Sequence, residues 1–356
     1  MTGGASVDDD LVHAEVRAAL VQMQAALEVE VVELRSAGAQ QGRECHGGVR
    51  LTSGAKRATY AFGDVPGARL TDDLPVKLVL PYDAGEVEGD VVSHRDGELV
   101  VGIARDVGAV IDHAVLVTDA SFLLERLAAR LGEVLEDEVE VDLLSMARAL
   151  GLAPVHAGTA PVPDDVAAAL NEEQCAAVAL GLGSDLTYVW GPPGTGKTTT
   201  VAHLVAAHYR AGRSVLLVSN TNTAVDTAVL RVAELLAEEP GFAAGSVLRH
   251  RAVVLDELRE RYGDHLAADE VLVRLRAPLL TERGRLAAEL SDLGEDGSAA
   301  DRRALRERLE QLDRKLDVDE PALLDRAGVV AATVYQTWLG GLPDRAYDVV
   351  VVDEAS

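Results

Sequence analysis

A glycine-rich segment at residues 191–198 constrains the fold of this chain more than any other feature. It reads Gly-Pro-Pro-Gly-Thr-Gly-Lys-Thr and matches the phosphate-binding pattern G-x-x-x-x-G-K-[ST]. In that pattern glycines let backbone N–H groups close around phosphate oxygens, a lysine reaches the β- and γ-phosphates, and a hydroxyl binds Mg²⁺. A strand must precede the loop and a helix must follow it, and residues 186–190 and 198–210 predict these two elements. The sequence therefore predicts a nucleoside triphosphate site.

Each position of this loop receives a predicted role. ATP binding is predicted for nine consecutive residues: Gly191, Pro192, Pro193, Gly194, Thr195, Gly196, Lys197, Thr198 and Thr199. Lys197 is also the predicted catalytic cation, and the hydroxyl of Thr198 is a predicted Mg²⁺ ligand. Upstream, on a predicted helix, the Gln174 amide has the donor and acceptor needed to read the edge of adenine. An exposed glutamine without a ligand is the alternative for Gln174.

The end of the sequence carries the second half of the prediction. Residues 347–352 form an apolar, β-branched run typical of a strand buried on both faces, and Asp353 and Glu354 follow it directly. Open α/β sheets bind their ligands at the carboxyl ends of strands. Asp353 is therefore predicted to hold Mg²⁺, and Glu354 to orient or deprotonate the attacking water. Together with Lys197, these carboxylates predict hydrolysis of the nucleotide.

Composition limits the class of protein. The 356 residues suffice for two or three domains, and no membrane span or signal peptide is evident. Cys45 and Cys175 are far apart, and Cys45-His46 lacks a second pair at metal spacing, so a zinc site is not predicted there. We expect a reducing, cytoplasmic environment and no membrane partner. The net charge of −26 argues against holding nucleic acid by bulk positive charge, although a narrow basic track remains compatible with it.

The texture of the sequence predicts four regions. Three patterns mark the limits of these regions: apolar residues at helical spacing, short alternating runs broken by glycine and proline, and a Pro- and Ala-rich linker. The regions are a stalk helix (1–28), a small accessory β-barrel (29–119), stalk helices with a linker (120–160), and an α/β nucleotide domain (161–356) with a helical insertion at about 255–325. Leucine stripes on either side of residues 294–298 predict that this insertion is an antiparallel helical hairpin.

A polar turn follows the next buried strand of the nucleotide domain. The strand is predicted at 214–218, and the turn at 219–226 reads Ser-Asn-Thr-Asn-Thr-Ala-Val-Asp before a helix. Hydroxyls, amides and helix-starting N–H groups at the end of a strand suit contacts to phosphate or sugar. Ordinary helix capping by Asn222 or Thr223 is the alternative. A further strand is predicted at 329–334.

The order of these motifs resembles superfamily 1 helicases, in particular the 5′-to-3′ branch that includes the nonsense-mediated-decay helicase. Gly-Pro-Pro-Gly-Thr-Gly-Lys-Thr at 191–198 and Asn-Thr-Ala-Val-Asp at 222–226 are close to the first two motifs of that branch. The barrel on a helical stalk and the helical insertion fall where the branch has them. The resemblance implies a RecA-like parallel sheet as the first motor domain.

The resemblance also implies roles for individual residues. Gln174 would read adenine, Lys197 and Thr198 would bind phosphates and Mg²⁺, Asp353 would complete the metal site, and Glu354 would activate water. Four further residues would contact the backbone of single-stranded DNA or RNA: Asn220, Thr221, Asn222 and Thr333. The implied activity is that of an ATP-dependent nucleic-acid helicase or translocase.

One part of the family pattern lies outside this sequence. In the family, a second RecA-like domain follows the Asp-Glu motif and supplies arginines worth roughly 10³ to 10⁵ in rate in other NTPases. We therefore expect an N-terminal part of a longer protein, which alone binds nucleotide weakly, hydrolyses little and does not unwind. Two other functions remain open: a P-loop ATPase switch acting on protein partners, and a nucleotide-binding module without turnover.

Overall fold

The computed structural model describes residues 7–355 apart from 37–39, 54–56, 64, 66, 68, 82–84, 96, 120, 140, 252, 294–297, 340, 341 and 343. The chain divides into two compact units. Unit 1 is Met1–Thr200 with Asn220–Asn222 and Thr333–Gly341, and unit 2 is Val201–Ser219, Thr223–Ala332 and Leu342–Ser356. Unit 1 therefore includes two short segments from the second half of the sequence. No helix among the described residues has the length and apolar character needed to cross a bilayer.

A closed antiparallel barrel forms the centre of unit 1. Its strands are β1 (Gln40–Ser53), β2 (Ala58–Phe62), β3 (Pro75–Val79), β4 (Glu86–Arg95), β5 (Glu98–Ile103) and β6 (Val110–Asp119), hydrogen-bonded in the order β1-β2-β5-β4-β3-β6. The alternation of buried and half-buried residues in β2 places Tyr60 and Phe62 inside, where they meet Leu78, Leu99 and Leu116. The predicted barrel is confirmed. The sequence predicts barrel strands at 49–51, 58–62, 76–80 and 99–103. It misses β4 and β6, since charged residues on their outer faces mask the apolar alternation.

Three of the helices of unit 1 share a second, smaller core. The helices of this unit are α1 (Val7–Ser36), α2 (Phe122–Leu135), α3 (Leu143–Ala149), α4 (Asp164–Ala169) and α5 (Glu172–Gly183). Val16 and Leu20 of α1 are buried with Val134 of α2 and Ala147 of α3. Helix α1 continues past residue 28 to Ser36 because no glycine or proline interrupts it. The proposed domain limits remain predictions.

The remaining elements build a parallel sheet with flanking helices. They are α6 (Lys197–Arg210), β7 (Val215–Ser219), α7 (Asn222–Leu236), β8 (Val247–Arg249), α8 (Asp256–Leu266), α9 (Ala268–Asp292), α10 (Ala299–Leu316), α11 (Glu320–Asp325), β9 (Val329–Thr333) and β10 (Val349–Val352). The sheet order is β10-β7-β9-β8, with β10 parallel to β7 and β8 parallel to β9. Every residue of β7 and β9 is buried, so the α/β fold class is confirmed.

Two strand predictions need correction. Strand β10 is not buried on both faces: it lies at the end of the described sheet, and Val350 and Val352 are 57% and 52% exposed. Residues 186–190 form no strand, because no described residue pairs with their backbone, and the Trp190 side chain is 88% exposed. A β-branched, aromatic segment becomes a strand only where a neighbour supplies the ladder.

The predicted helical hairpin is present in unit 2 as α9 and α10. Leu286 of α9 is buried against Leu305 and Leu312 of α10, and Leu290 and Leu309 pack around them. The leucine stripes thus face each other along both helices, as the 3–4 spacing predicts. Residues 294–297 of the predicted connecting turn lie outside the described part of the chain.

Candidate nucleotide site

The glycine-rich loop adopts a conformation that only glycine reaches at low cost. Gly194 and Gly196 both have φ of +81°, in the left-handed region. Between them the Thr195 hydroxyl donates to the Pro192 carbonyl at 2.8 Å and closes the turn. Lys197 then begins α6, so the loop ends at a helix N-terminus, where unpaired N–H groups favour an anion.

Close packing around Gly191 and Gly196 also holds the loop in this conformation. A Cβ on Gly191 would lie 2.7 Å from the Thr195 hydroxyl, and one on Gly196 would lie 2.6 Å from the amide nitrogen of Gln174. The Lys197 ammonium donates to the Gly191 carbonyl at 2.7 Å and to the Pro192 carbonyl at 3.3 Å, so it lies over the loop. A lysine ammonium and left-handed glycines therefore lie at one short turn, and these are the residue types that a phosphate-binding loop uses.

Gln174 connects α5 to this loop. Its Nε2 donates to the Thr195 carbonyl at 3.2 Å, and its Oε1 accepts from the Asn171 N–H at 3.1 Å. The Asn171 side chain accepts from the Gln174 N–H at 2.9 Å, which completes a capping box at the start of α5. The sequence prediction missed Asn171, although Asn followed three residues later by Gln is a capping signal. Adenine recognition by Gln174 remains a prediction.

The hydroxyl residues after the lysine lie in the first turn of α6. Thr198 is half-buried, Thr199 is exposed, and Thr200 is buried with its hydroxyl on the Gly196 carbonyl at 3.1 Å. Of the three, Thr198 follows the lysine directly and keeps the position that the motif reserves for Mg²⁺. The ligand roles of Thr198 and Thr199 remain predictions.

In unit 2, β10 carries the two candidate carboxylates to the end of the sheet. Val352 pairs with Val218 of β7, and the Asp353 N–H extends the ladder to the Val218 carbonyl at 2.8 Å. Asp353 is half-buried, whereas Glu354 is exposed and has φ of +54°. A left-handed non-glycine residue costs of order 1–3 kcal/mol, and such residues cluster at active sites. The conformation of Glu354 is thus compatible with its predicted catalytic role.

The predicted nucleic-acid contacts divide into two groups. Asn220 is exposed and Thr221 half-buried, whereas Asn222 and Thr333 are 2% and 0% exposed. All four belong to the same unit as the barrel. Binding of nucleic acid by these four residues remains a prediction, and the exposed side chain of Asn220 fits it most directly.

Two barrel aspartates hold the buried pair. Asp72 accepts from the Asn222 N–H at 2.8 Å, and the Asn222 amide donates to the Val92 carbonyl at 2.9 Å. The Thr333 hydroxyl donates to Asp73, which has φ of +61°. Sequence reasoning missed both aspartates, since nothing in the segment before β3 distinguishes them from an ordinary acidic turn.

Burial alters the ionisation of this acidic pair. It raises the pKa of Asp72, and the charge of Asp73 adds to this, while the Asn222 N–H and two arginines act against it. Burial likewise raises the pKa of the Tyr335 hydroxyl, with both aspartate charges contributing. Because the folded pKa of Asp72 is raised, its favourable contribution to stability is present at low pH and is lost as pH rises through that pKa.

Replacing Asp72 separates its charge from its hydrogen bond. In Asp72→Asn an amide oxygen still accepts from the Asn222 N–H, so we expect stability at neutral pH to be kept or raised and its dependence on acidic pH to weaken. In Asp72→Ala the acceptor is lost, and we expect a loss of about 1–3 kcal/mol. Urea unfolding at neutral and at acidic pH measures both. Equal losses in the two variants would contradict the role of the hydrogen bond.

Comparison with known proteins finds similarity over part of this chain. The model of the AAA domain family matches residues 169–249, which include Gln174, the glycine-rich loop and Asn222. DNA-binding protein SMUBP-2 of Mus musculus is 29% identical over 205 residues, 52% of this chain and 19% of that protein. The DNA replication ATP-dependent helicase/nuclease DNA2 of Homo sapiens is 51% identical over 53 residues, 15% of this chain and 5% of that protein.

The matched segment thus spans about a fifth of SMUBP-2 and less of DNA2. The family match covers the nucleotide loop and the polar turn, and the barrel and the parallel sheet are the folds that the motif order predicts. The resemblance is therefore confirmed: this chain is similar to the N-terminal region of superfamily 1 helicases of the branch that includes the nonsense-mediated-decay helicase.

Proposed function

We propose that this chain supplies the ATP-binding half of an ATP-dependent helicase or translocase that acts on single-stranded nucleic acid. The observation that carries the proposal is the phosphate loop, with Gly194 and Gly196 in the left-handed region and Lys197 at the start of α6. A loop of this geometry suits the β- and γ-phosphates of a nucleotide. The relatives' printed names, a DNA-binding protein and a DNA replication helicase, support a nucleic-acid substrate.

In this proposal the loop residues bind and the carboxylates act on water. Lys197 exchanges its contacts to the Gly191 and Pro192 carbonyls for phosphate oxygens, and the loop N–H groups surround the same oxygens. Thr198 and Asp353 hold Mg²⁺, which when bound neutralises charge on the phosphates. Glu354 orients the attacking water and accepts its proton.

Full activity in this proposal needs a second motor domain. Arginines across the ATP site would stabilise the charge that develops on the transferred phosphoryl group. Opening and closing of two domains around the nucleotide would then move the single strand. Asn220 and Thr221 are the most accessible of the four proposed contacts to that strand.

ATP hydrolysis with and without single strands tests the proposal. The protein that carries this chain together with a second motor domain is assayed with single-stranded DNA, single-stranded RNA and no nucleic acid. We expect stimulation by at least one of the two strands, and DNA is tested first because both relatives are named for it. Hydrolysis indifferent to both would favour the switch ATPase, and no hydrolysis would favour a nucleotide-binding module.

Glu354→Gln in the same protein isolates the chemical step. The amide cannot accept a proton from water, so turnover is expected to fall by about 10²-fold or more, while ATP affinity stays near that of the wild type. Equilibrium binding and steady-state hydrolysis measure the two quantities separately. Glu28→Gln, on an exposed part of α1, makes the same change of charge as a control. Normal turnover in Glu354→Gln would remove Glu354 from the mechanism.

A further inference from the structure

A cross-strand pair of histidines lies on the outside of the barrel, away from the residues assigned above. His46 of β1 is opposite His113 of β6 in the antiparallel register, and their ring centroids are 4.9 Å apart. Glu44 lies two residues before His46 and so shares its face of β1. Its Oε2 is 3.7 Å from Nε2 of His46. Cys45, between them, points inward and is buried, so it takes no part in the cluster.

These three side chains are close enough to share one ion. One ligand atom from each, a ring nitrogen or a carboxylate oxygen, lies within 4.8 Å of the other two. Zn²⁺ binds imidazole nitrogen and carboxylate oxygen at about 2.0–2.2 Å, and two histidines with one glutamate leave a fourth position for water. The side chains of Glu44 and His46 are exposed and that of His113 is half-buried.

The charge of the chain and the type of the three ligands indicate which kind of ion the cluster would bind. The net charge of −26 attracts cations in general, but imidazole suits Zn²⁺, Cu²⁺ and Ni²⁺, whereas Mg²⁺ prefers oxygen ligands. A surface ion pair of Glu44 with protonated His46 would contribute little by itself, and it would not account for a second imidazole beside the first. The register places the second imidazole beside the first, so all three groups are available to one cation.

We propose that Glu44, His46 and His113 form a binding site for a divalent transition-metal ion of the zinc type. The ion joins the first and last strands of the barrel, whose pairing from Gln40↔Asp119 to Val49↔Val110 closes it. Metal binding therefore stabilises the closed barrel. The site is separate from the Mg²⁺ site proposed for the nucleotide, because it uses none of its residues.

Zinc titration of the metal-free chain tests the site, with excess Mg²⁺ present and no nucleotide. We expect one Zn²⁺ per chain by isothermal titration calorimetry and a rise in Tm, because a ligand of the native state raises stability. His46→Ala and His113→Ala should each weaken binding about tenfold or more, and Glu44→Gln should weaken it less. His156→Ala changes an exposed histidine elsewhere and should bind as the wild type does.

Three results would overturn the proposal: no zinc binding by the wild type, equal affinity in His46→Ala, His113→Ala and His156→Ala, or unchanged affinity in Glu44→Gln. The three cluster side chains are exposed or half-buried on the barrel surface, so the variants should stay folded, and the Tm of each without metal checks this. The experiment uses neither ATP nor nucleic acid, so its outcome is independent of the proposed ATPase function.

Discussion

Lys197→Ala is expected to lower the affinity for ATP by about 10²-fold, the largest effect on affinity of any single change in the proposed nucleotide site. The ammonium lies over the loop on the Gly191 and Pro192 carbonyls, and it is the cation that we propose pairs with the β- and γ-phosphates. Its removal deletes charge-assisted hydrogen bonds that no neighbouring side chain of the loop replaces. Titration with a fluorescent ATP analogue measures the loss.

Lys77→Ala is the matched control for this variant. Lys77 lies on the barrel strand β3, where its exposed ammonium is 3.5 Å from Glu86, and its loss should leave ATP affinity unchanged. Because Lys197 also donates to two loop carbonyls, the Tm of Lys197→Ala is measured to show that the chain remains folded. Unchanged affinity in a folded Lys197→Ala chain would show that the glycine-rich loop is not the phosphate site.

Asp226→Ala is expected to destabilise unit 2 by about 3–5 kcal/mol, the cost of breaking a buried ion pair from one side. Asp226 and Arg249 are both fully buried, with Oδ1 of the aspartate 2.8 Å from Nε of the arginine. The other oxygen accepts from the N–H groups of Val254 at 2.6 Å and Leu255 at 2.9 Å. The carboxylate thereby joins α7, β8 and the segment before α8. Urea unfolding measures the change.

Two further variants serve as comparisons for Asp226→Ala. One removes only the charge of the buried carboxylate, and the other removes an aspartate that is exposed. In Asp226→Asn one oxygen remains to accept a hydrogen bond, but the charge that pairs with Arg249 is absent. We therefore expect a loss of stability smaller than that of Asp226→Ala. Asp256→Ala removes an exposed aspartate that pairs with Arg259 at 2.8 Å, and it should cost at most about 1 kcal/mol. A loss of that small size in Asp226→Ala would show that the buried pair contributes little to stability.

The positions of the loop and of the two carboxylates in the fold could be predicted from the sequence, because each belongs to a short motif of consecutive residues. The glycines of the loop, the lysine that begins α6 and the carboxylates after β10 each follow from a short motif with a required strand or helix beside it. The barrel could be predicted as well, since alternating runs separated by turns leave few other folds.

Contacts between distant residues could not be predicted in this way. The sequence gives no sign that Asp72 accepts from Asn222, or that Asp73 accepts from Thr333, because neither aspartate belongs to a motif. Strand formation by residues 186–190 was predicted from composition and motif alone, yet a strand also needs a neighbour. The histidine pair on β1 and β6 likewise depends on register, which propensity does not determine.

The contact between Thr333 and Asp73 joins residues 260 positions apart. A ribosome adding about 5–20 residues per second therefore completes the barrel sequence well before Thr333 exists. During that interval Asp73 has no Thr333 to accept from, and the side chain of Tyr335 is not yet packed on the barrel core. Unit 1 therefore cannot finish folding when its first 200 residues have been synthesised. Its last segment, Thr333–Gly341, is translated only after most of unit 2.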